Sequence, residues 1–405
     1  MISDTLRGWP RYSTRTVVSA WRDETIRIPI IIFAALRVIT GIAALLIVHV
    51  SPATLPAWLN GNPSGETYFV ALPRSAPLAS LVEPWHRYDT AWYIKIAIQG
   101  YRASDPAIVF PPLYPVAIRL IAPFVGGNYV LAALLISNTA GLIAFILLFK
   151  LIELEFGDLW LARRTLICLA AFPTAFYFVA GYTESIYLAL TLGAFLATFK
   201  KNWLLASLLA ALAGAVRLQG ALLCLPLAWI AYVQLRECGL DAFLARLPAV
   251  LGSVVGTLSY MAYIEVNNLG SLEYAYAHQW KLFTRLPFDA IENFVTRYSR
   301  AQTFGFENDN ALALIFIVVM AIIVTIKMRP AYSLYVWSTL AVILLRYHNG
   351  PQFESMFRYA LLMFPCFIAL GMVLSNQWVI MSYAIVSGQW LFILLNRFIH
   401  WIWVA

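Results

Sequence analysis

Charged residues are scarce in this chain of 405 residues: only 12% are Asp, Glu, Lys or Arg, whereas 61% are hydrophobic. A soluble domain carries about 25% charged residues, so the composition excludes a protein that is globular in water. We therefore expect an all-α, polytopic integral membrane protein. The net charge of +8 does not require a nucleic-acid partner, because excess Lys and Arg in a membrane protein first reflect the positive-inside bias and contact with anionic lipids.

Cysteine is also scarce, and its spacing excludes two kinds of site. The chain has four cysteines, Cys168, Cys224, Cys238 and Cys366, with no C-x-x-C pair and no histidine at ligand spacing. Neither a structural zinc site nor a disulfide framework is predicted from this pattern. Three of the four lie in apolar runs, where cysteine acts as a small hydrophobic residue.

Long apolar runs, separated by short polar breaks, fill most of the chain. We expect about eleven transmembrane helices, near 28–50, 128–149, 164–182, 183–199, 203–216, 220–235, 247–265, 311–327, 331–346, 356–374 and 378–396. Several are shorter than the roughly 20 residues of a straight span, and Pro226 and Pro365 are expected to kink their helices. The first run is too long for a cleaved signal peptide, so the predicted organisation is a basic N-terminus (1–27) followed by one transmembrane domain (28–405).

The distribution of basic residues predicts the orientation. If the N-terminus is cytoplasmic, the short basic turns share its side: Lys150 with Arg163 and Arg164, Lys200 with Lys201, Arg236 with Arg246, and Lys327 with Arg329. Short basic turns on one face fix topology. The expected location is the plasma (cell inner) membrane, with two long extracytoplasmic loops, about 51–127 and 266–310, on the opposite side.

The first of these loops contains the stretch "EPWHRYDTAWYIKIAIQGY" (83–101), in which aromatic and charged residues alternate. On a helix, its aromatic and aliphatic side chains form one stripe: Trp85, Tyr88, Trp92 and Ile96. Asp89 falls on the same face and Arg87 on the other. The stripe is typical of an interfacial anchor, but a carboxylate on an apolar face is costly and indicates either function or an ion pair, for example with Arg217.

The stretch also resembles the bacterial branch of the PIG-V mannosyltransferase family, of the GT-C class. The residues that carry the resemblance are Trp85, Tyr88, Asp89, Gly100, Tyr101, Phe110, Pro111 and Pro115. Three further blocks follow in the order of the family: "AGYTES" (180–185), "AVRLQGALLCLPL" (215–227) and "MFRYALLMFP" (356–365). The resemblance covers most of 80–370. The Arg-Leu-Gln at 217–219 departs from the family wording, so the role of Gln219 stays open.

The resemblance implies a GT-C fold and transfer of a hexose, expected to be mannose, from a polyprenyl- or dolichyl-phosphate carrier. The acceptor would be a hydroxyl group of a glycan, glycolipid or protein on the extracytoplasmic face, and the anomeric centre would invert. Asp89 is then the general base, which suits a carboxylate that is ionised at neutral pH. There is no D-x-D motif to hold a metal-bound nucleotide sugar, and arginines alone can receive a phosphate leaving group. We therefore expect neither a metal nor another cofactor.

The predicted contacts to substrate and phosphate are Trp85, Arg87, Tyr88, Lys95, Tyr182, Glu184, Arg217, Gln219, His348 and Arg358, with Arg346 as a further candidate. Arg217 and Arg358 are the main phosphate candidates, although most interfacial arginines extend to lipid headgroups. Glu184 has three open roles: orienting Asp89, binding sugar hydroxyls or pairing with Arg217. Alternatively, it begins the next helix as an ordinary first-turn acid. His348 is an ordinary loop residue or a substrate contact.

Two alternatives remain open from the sequence. One is a different enzyme of lipid-linked glycans, a ligase or polymerase, which also uses outer loops. The other is a lipid or solute transporter. Transporters place charges near the middle of the membrane and show repeat-related halves, and neither feature is visible in this chain.

Overall fold

The computed structural model describes residues 23–52, 79–239, 244, 246–300, 302 and 305–404. The predicted basic segment up to residue 22 and the Pro/Gly-rich part of the first loop, at 53–78, lie outside the described residues. Asp23 begins the first helix, because its carboxylate accepts a hydrogen bond from the backbone N–H of Thr25 at 2.9 Å. Asn128, Asp158, Asn202 and Asn376 cap four later helices in the same way.

The described part of the chain is almost entirely helical. The α-helices are α1 (Glu24–Val50), α2 (Ala79–Val82), α3 (Asp89–Gln99), α4 (Leu113–Ile121), α5 (Tyr129–Phe156), α6 (Leu159–Ala170), α7 (Glu184–Phe199), α8 (Trp203–Val216), α9 (Cys224–Cys238), α10 (Leu247–Val266), α11 (Leu272–Tyr274), α12 (Pro287–Ser299), α13 (Gly305–Lys327), α14 (Pro330–Leu344), α15 (Met356–Leu362), α16 (Phe364–Val373) and α17 (Gln377–Ile399). Short 3-10 turns occupy Glu83–Trp85, Pro106–Val109, Ala122–Val125, Ala175–Phe178 and Leu218–Leu223, and a π-helical turn occupies Ala275–Gln279. Strands β1 (Leu282–Thr284) and β2 (Arg346–His348) pair antiparallel.

Helix lengths confirm the all-α, polytopic class predicted from composition. Among the described helices, α1, α5, α13 and α17 are each long and apolar enough to cross a membrane. The bent pair α15 and α16 adds a fifth crossing if it is one broken span, and six shorter apolar helical stretches of 10–17 residues accompany them. Short helices of this kind cross a membrane only when neighbouring helices or local thinning shelter their ends.

Several predicted spans match the observed helices, and two need correction. The runs at 183–199 and 203–216 coincide with α7 and α8 to within one residue. The predicted span 164–182 is not one helix: α6 ends at Ala170, ahead of Pro173, and a buried turn follows. The predicted span 356–374 is broken at Met363, where α15 and α16 meet at 83°, next to the expected kink at Pro365.

At one end of the helix bundle, arginines form ion pairs with glutamates of neighbouring helices. Arg163 Nη2 lies 2.6 Å from Glu24 Oε2, so the start of α1 lies beside the start of α6. Arg329 Nε lies 2.5 Å from Glu155 Oε1, which joins the end of α5 to the start of α14. These arginines come from the turns that the sequence places together on the N-terminal side, and we call this end of the bundle the basic end.

The opposite end, here called the loop end, gathers the long connections. His400 Nε2 lies 2.9 Å from the carbonyl oxygen of Ser51, which places the ends of α1 and α17 side by side. Tyr260 near the end of α10 donates its O–H to the carbonyl oxygen of Ile108 at 2.7 Å. The segment after α3 is therefore attached to α10 at this end of the bundle. Helix α4 exposes Leu120, in keeping with an interfacial helix in the first loop.

Glycines allow two of the helices to approach closely. A Cβ atom added at Gly256 of α10 would lie 1.9 Å from the carbonyl oxygen of Ala211 in α8, and one at Gly252 would lie 2.5 Å from Ser207 Oγ. Small residues at such contacts let helices pack backbone to backbone in a membrane, where no hydrophobic force drives helices together. The contact fixes the position of α8, whose C-terminal end carries Arg217.

Candidate active site

The segment 83–101 is not the single helix that its periodicity predicts. A 3-10 turn ends at Trp85, residues 86–88 are non-helical, and α3 begins at Asp89. Tyr88 stands at the break with φ 47° and ψ −114°, a left-handed conformation that costs a residue with a Cβ of the order of 1–3 kcal/mol. Such strain persists only where the surrounding structure holds it, and here it fixes the residue immediately before Asp89.

The aromatic stripe lies inside the protein, so the predicted interfacial anchor at 83–101 is wrong. Trp85 is 1% exposed, with the Arg37 guanidinium 5.4 Å from its ring centre. Tyr88 packs against residues from the end of the chain, with Trp401 and Trp403 ring centres each at 5.2 Å. The helical period identified a shared face, but it does not distinguish lipid from protein as the partner of that face.

The Arg87 side chain donates its hydrogen bonds to backbone carbonyl groups. Its Nε donates to the carbonyl oxygen of Ile399 at 2.8 Å, and its Nη1 donates to the carbonyl oxygens of Glu83 and His86. Its guanidinium lies 4.9 Å from the ring centre of Trp401. Burial lowers the pKa of Arg87 to about 10, so it remains a cation at neutral pH. The side chain ties the Asp89 loop to the end of α17 and points away from Asp89.

Four charged side chains meet at the loop end. Arg358 Nη2 lies 2.9 Å from Asp89 Oδ2 and 2.9 Å from Glu184 Oε1, and its Nε donates to the same Glu184 oxygen at 3.0 Å. Arg217 Nη1 donates to Glu184 Oε1 at 2.9 Å and to Thr183 Oγ1 at 2.9 Å. One carboxylate oxygen thus receives bonds from two guanidinium groups. We call Asp89, Glu184, Arg217 and Arg358 the acid–arginine cluster.

Helix ends favour three of these four charges. Asp89 and Glu184 are the first residues of α3 and α7, where the helix dipole stabilises a negative charge. Arg217 follows the last residue of α8, where the dipole stabilises a cation. Because the two acids and two arginines balance, the formal charge of the cluster is zero. Such a balance lets ionised groups persist out of water, where an unpaired charge is prohibitive.

Exposure divides the cluster into a buried centre and an accessible edge. The side chain of Glu184 is fully buried, and its Oε2 has no hydrogen-bond partner among the described residues. The side chains of Arg358 and Arg217 are 7% and 11% exposed, and that of Asp89 is 13% exposed. Asp89 is therefore the acid of the cluster that a ligand reaches, while Glu184 holds the two arginines from behind.

Aromatic rings and hydroxyl groups enclose the cluster. The Arg358 guanidinium lies 4.8 Å from the ring centre of Tyr182 and 5.1 Å from that of Tyr177. Tyr182 donates its O–H to the carbonyl oxygen of Arg87 at 3.1 Å, and burial raises its pKa well above the usual value, so it stays a neutral phenol. Thr90 donates to the carbonyl oxygen of Gly181 at 3.1 Å, which fixes the start of α3 against the turn before α7.

Besides Trp85, Arg87 and Tyr88, three further predicted contact residues lie apart from the cluster's hydrogen bonds. Lys95 forms a buried ion pair with Asp105, Nζ to Oδ2 at 2.8 Å, inside the first loop. Gln219 is half-buried in the 3-10 turn after Arg217. His348 lies in β2, where its Nδ1 accepts the backbone N–H of Gly350 at 3.0 Å. Their roles at a substrate stay predictions.

Other residues at the site carry no sequence signal of their own. Thr183 bonds to Arg217, and its Oγ1 lies 3.3 Å from the hydroxyl of Tyr93. The ring of Tyr359 lies near two arginines, with the guanidinium carbons of Arg346 and Arg217 at 5.5 and 5.6 Å from its centre. Tyrosine and threonine are common in apolar helices, so only the fold indicates that these side chains border the cluster.

Comparisons with known proteins give a distant structural likeness. No protein-family profile matches the chain, and neither does any curated protein sequence, so the PIG-V resemblance is not confirmed. The structure is similar to that of ArnT from Cupriavidus metallidurans bound to undecaprenyl phosphate, with 14% identity over 89% of this chain and 61% of that chain and a TM-score of 0.48. For ArnT in the apo state the values are 15%, 86%, 59% and 0.46. The chain thus spans about three fifths of the length of the ArnT structures.

Proposed function

We propose that this protein is a membrane glycosyltransferase of the GT-C class, which moves a hexose from a polyprenyl- or dolichyl-phosphate carrier to a hydroxyl group of an acceptor. The observation that carries the proposal is that Arg358 pairs with both Asp89 and Glu184, while Arg217 pairs with the same Glu184 carboxylate. A partly accessible carboxylate beside fixed guanidinium groups supplies what the transfer requires, a base and a receiver of phosphate charge.

Asp89 serves as the general base. The acceptor oxygen forms a bond to the anomeric carbon while its proton passes to a carboxylate oxygen of Asp89. The bond between that carbon and the phosphate oxygen breaks, and its electron pair stays with the phosphate. Displacement in one step inverts the anomeric centre, so a β-linked donor gives an α-linked product. A positioned base of this kind contributes about 10²–10⁴-fold to the rate.

Arg217 and Arg358 bind the phosphate and stabilise the charge that develops on it. Among the described residues, the hydrogen bonds of Arg217 use only Nη1, which leaves Nε and Nη2 for phosphate oxygens. Arg358 Nη2 already contacts Asp89. When phosphate shares that guanidinium, Asp89 loses part of its counter-charge and becomes a stronger base. The donor thereby activates the residue that acts on the acceptor.

The proposed sugar and acceptor rest on the family resemblance of the sequence. Mannose is the proposed sugar, and the acceptor is a glycan, glycolipid or protein. The loop end faces the extracytoplasmic side of the plasma membrane, and the basic end, with the start of α1, faces the cytoplasm. Two guanidinium groups are sufficient for a monophosphate leaving group, so the proposed reaction needs no metal or other cofactor.

Sugar transfer in liposomes tests the proposal. Synthetic β-linked polyprenyl-phosphate mannose and a panel of acceptors are supplied to the wild type, to Asp89→Asn and to Asp289→Asn, a partly exposed control in α12. We expect transfer to survive EDTA and the control change but to fall at least about 100-fold in Asp89→Asn. Equal transfer by Asp89→Asn would exclude Asp89 as the base and direct attention to Glu184.

The same experiment separates the alternatives. No consumption of donor by any variant would overturn the donor assignment, and loss of activity in EDTA would show that a metal is needed. A transporter would instead move the lipid or solute across the bilayer with little effect of Asp89→Asn, since that carboxylate lies at the edge of the bundle. Transfer of whole oligosaccharides in preference to single hexoses would identify a ligase or polymerase.

A further inference from the structure

A second polar recess lies beside the acid–arginine cluster, between β2 and the start of α15. It is a small recess that opens to solvent, and its empty space of about 290 Å³ includes the solvent at its mouth. The polar side chains that line it are Arg346, His348, Gln352 and Glu354. We call it the β2–α15 pocket, and nothing in the proposed transfer reaction has yet used it.

Two acceptors in this pocket have no partner among the described residues. Gln352 is 1% exposed, and its Nε2 donates to backbone carbonyl oxygens of the β2–α15 turn, yet its Oε1 is buried without a hydrogen bond. Glu354 is half-buried and forms no ion pair within 4 Å in the part of the chain that the structure describes. Burial raises the pKa of Glu354, against the opposing effects of His348 and Arg346. Buried polar groups are nearly always satisfied, so open ones indicate a missing ligand or water.

The backbone holds Glu354 in place. Phe353 has φ 59° and Ser355 has φ 68°, so both neighbours of Glu354 adopt the left-handed conformation without being glycine. The backbone N–H of Gln352 donates to Glu307 Oε1 at 3.0 Å, which anchors the same turn to α13. A turn fixed in this way loses little further backbone entropy when a ligand binds.

The donors and acceptors of the pocket match sugar hydroxyl groups. Because His348 Nδ1 accepts from Gly350, its Nε2 is the ring nitrogen that carries the proton in the neutral form. Arg346 and His348 therefore donate, while Gln352 Oε1 and Glu354 accept. Each hydroxyl group both donates and accepts, so adjacent hydroxyls use both kinds of partner. The Glu354 carboxylate would repel a phosphate, and Arg346 would repel an ammonium group. A pocket with one positive and one negative side chain therefore favours a neutral polyol.

The pocket adjoins the proposed phosphate site. Arg346 Nη1 donates to the hydroxyl of Tyr359. The guanidinium carbon of Arg217 lies 5.6 Å from the centre of the same ring. Tyr359 thus contacts both an arginine that lines the pocket and the arginine proposed to bind the leaving group. A sugar held there would lie next to the proposed phosphate site.

We infer that the β2–α15 pocket binds hydroxyl groups of the acceptor sugar, with Glu354 as its main hydrogen-bond acceptor. The inference deepens the proposed function and rests on it for the word acceptor. It predicts that the acceptor is itself a carbohydrate, or carries one at the attacking end. Glu354 and Gln352 are then specificity-determining residues, distinct from the proposed base and phosphate arginines.

Saturation-transfer NMR with methyl α-mannopyranoside and methyl α-glucopyranoside tests the inference without turnover. The protein is held in lipid nanodiscs, because glycoside detergents would compete for the pocket. We expect the wild type and the exposed control Glu273→Gln to bind at least one pyranoside. Glu354→Gln, which loses a bond to a charged acceptor, should weaken that binding about tenfold. Glu354→Asp keeps the charge but shortens the side chain, and should also weaken it.

The outcomes are separable from those of the transfer experiment. Equal affinity in the wild type and both Glu354 variants, or no pyranoside signal from the wild type, would overturn the inference. Displacement of the sugar by inorganic phosphate would also overturn it and identify an anion site. Donor consumption without pyranoside binding removes the pocket assignment alone. Pyranoside binding that depends on Glu354, with no donor consumption, supports the pocket as a sugar site and overturns the proposed donor.

Discussion

Arg358 Nη2 lies 2.9 Å from Asp89 Oδ2, so an arginine near the end of the chain pairs with the aspartate that begins α3. The same nitrogen lies 2.9 Å from Glu184 Oε1. The exposed acid and the buried acid are thereby linked through one guanidinium. Changes to either acid are therefore expected to affect the other through Arg358.

Glu184→Gln is expected to destabilise the protein strongly. It removes the charge that both arginines share, and breaking a buried ion pair by removing one partner costs about 3–5 kcal/mol. Thermal unfolding in detergent measures the loss, with the exposed Glu292→Gln of α12 as the control. A variant as stable as the wild type would mean that Glu184 does not hold the arginines as an ionised group.

Arg217→Lys is expected to weaken donor binding more than it lowers stability. Lysine keeps the charge but presents a point donor instead of the planar fork that matches phosphate oxygens. We expect the donor KM to rise about tenfold with a smaller change in kcat, measured by transfer at varied donor concentration. Arg300→Lys, an exposed position after α12, is the matched control. An unchanged donor KM would assign the phosphate to Arg358 alone.

Tyr88→Phe is expected to leave stability unchanged or to raise it slightly. The hydroxyl of Tyr88 is buried without a partner among the described residues, so removing it breaks no hydrogen bond within them. Tyr114→Phe is the contrasting control, because that hydroxyl donates to the carbonyl oxygen of Ala133 at 3.0 Å and lies 2.7 Å from Ser137 Oγ. The control should lose about 1–3 kcal/mol by the same unfolding measurement. A large loss of transfer in Tyr88→Phe would instead show that its hydroxyl contacts substrate.

Gly256→Ala is expected to separate α8 from α10. The new methyl group would lie 1.9 Å from the carbonyl oxygen of Ala211, so the helices must shift, at a cost of about 1–3 kcal/mol. Gly388→Ala in α17 meets no atom within 4 Å and should be neutral or stabilising. Unfolding temperatures of the two variants make the comparison, and equal values would contradict the close helix contact.

Sequence reasoning recovered the members of the cluster but not their arrangement. Asp89, Glu184, Arg217 and Arg358 each stand out because a charge in an apolar chain has few inexpensive positions. That Arg358 contacts both acids depends on how distant helices pack, which no local pattern contains. The helical period of 83–101 also does not predict the break at Tyr88, because a tyrosine with a positive φ angle has no sequence signature. Glu354, which the inference above places in a sugar pocket, has no sequence signal either, since one acid in a polar loop is normally solvated.

The contact between Tyr88 and the aromatic residues after α17 has a practical meaning for topology experiments. Trp401 and Trp403 pack on Tyr88, so the end of α17 lies at the same end of the bundle as Asp89. The start of α1, in contrast, is paired with Arg163 at the basic end. A reporter enzyme fused after residue 404 would therefore reveal the compartment that supplies the substrates of Asp89, and a reporter ahead of α1 would reveal the opposite one. Two fusions thus read out the sidedness of the chemistry without any assay of the reaction.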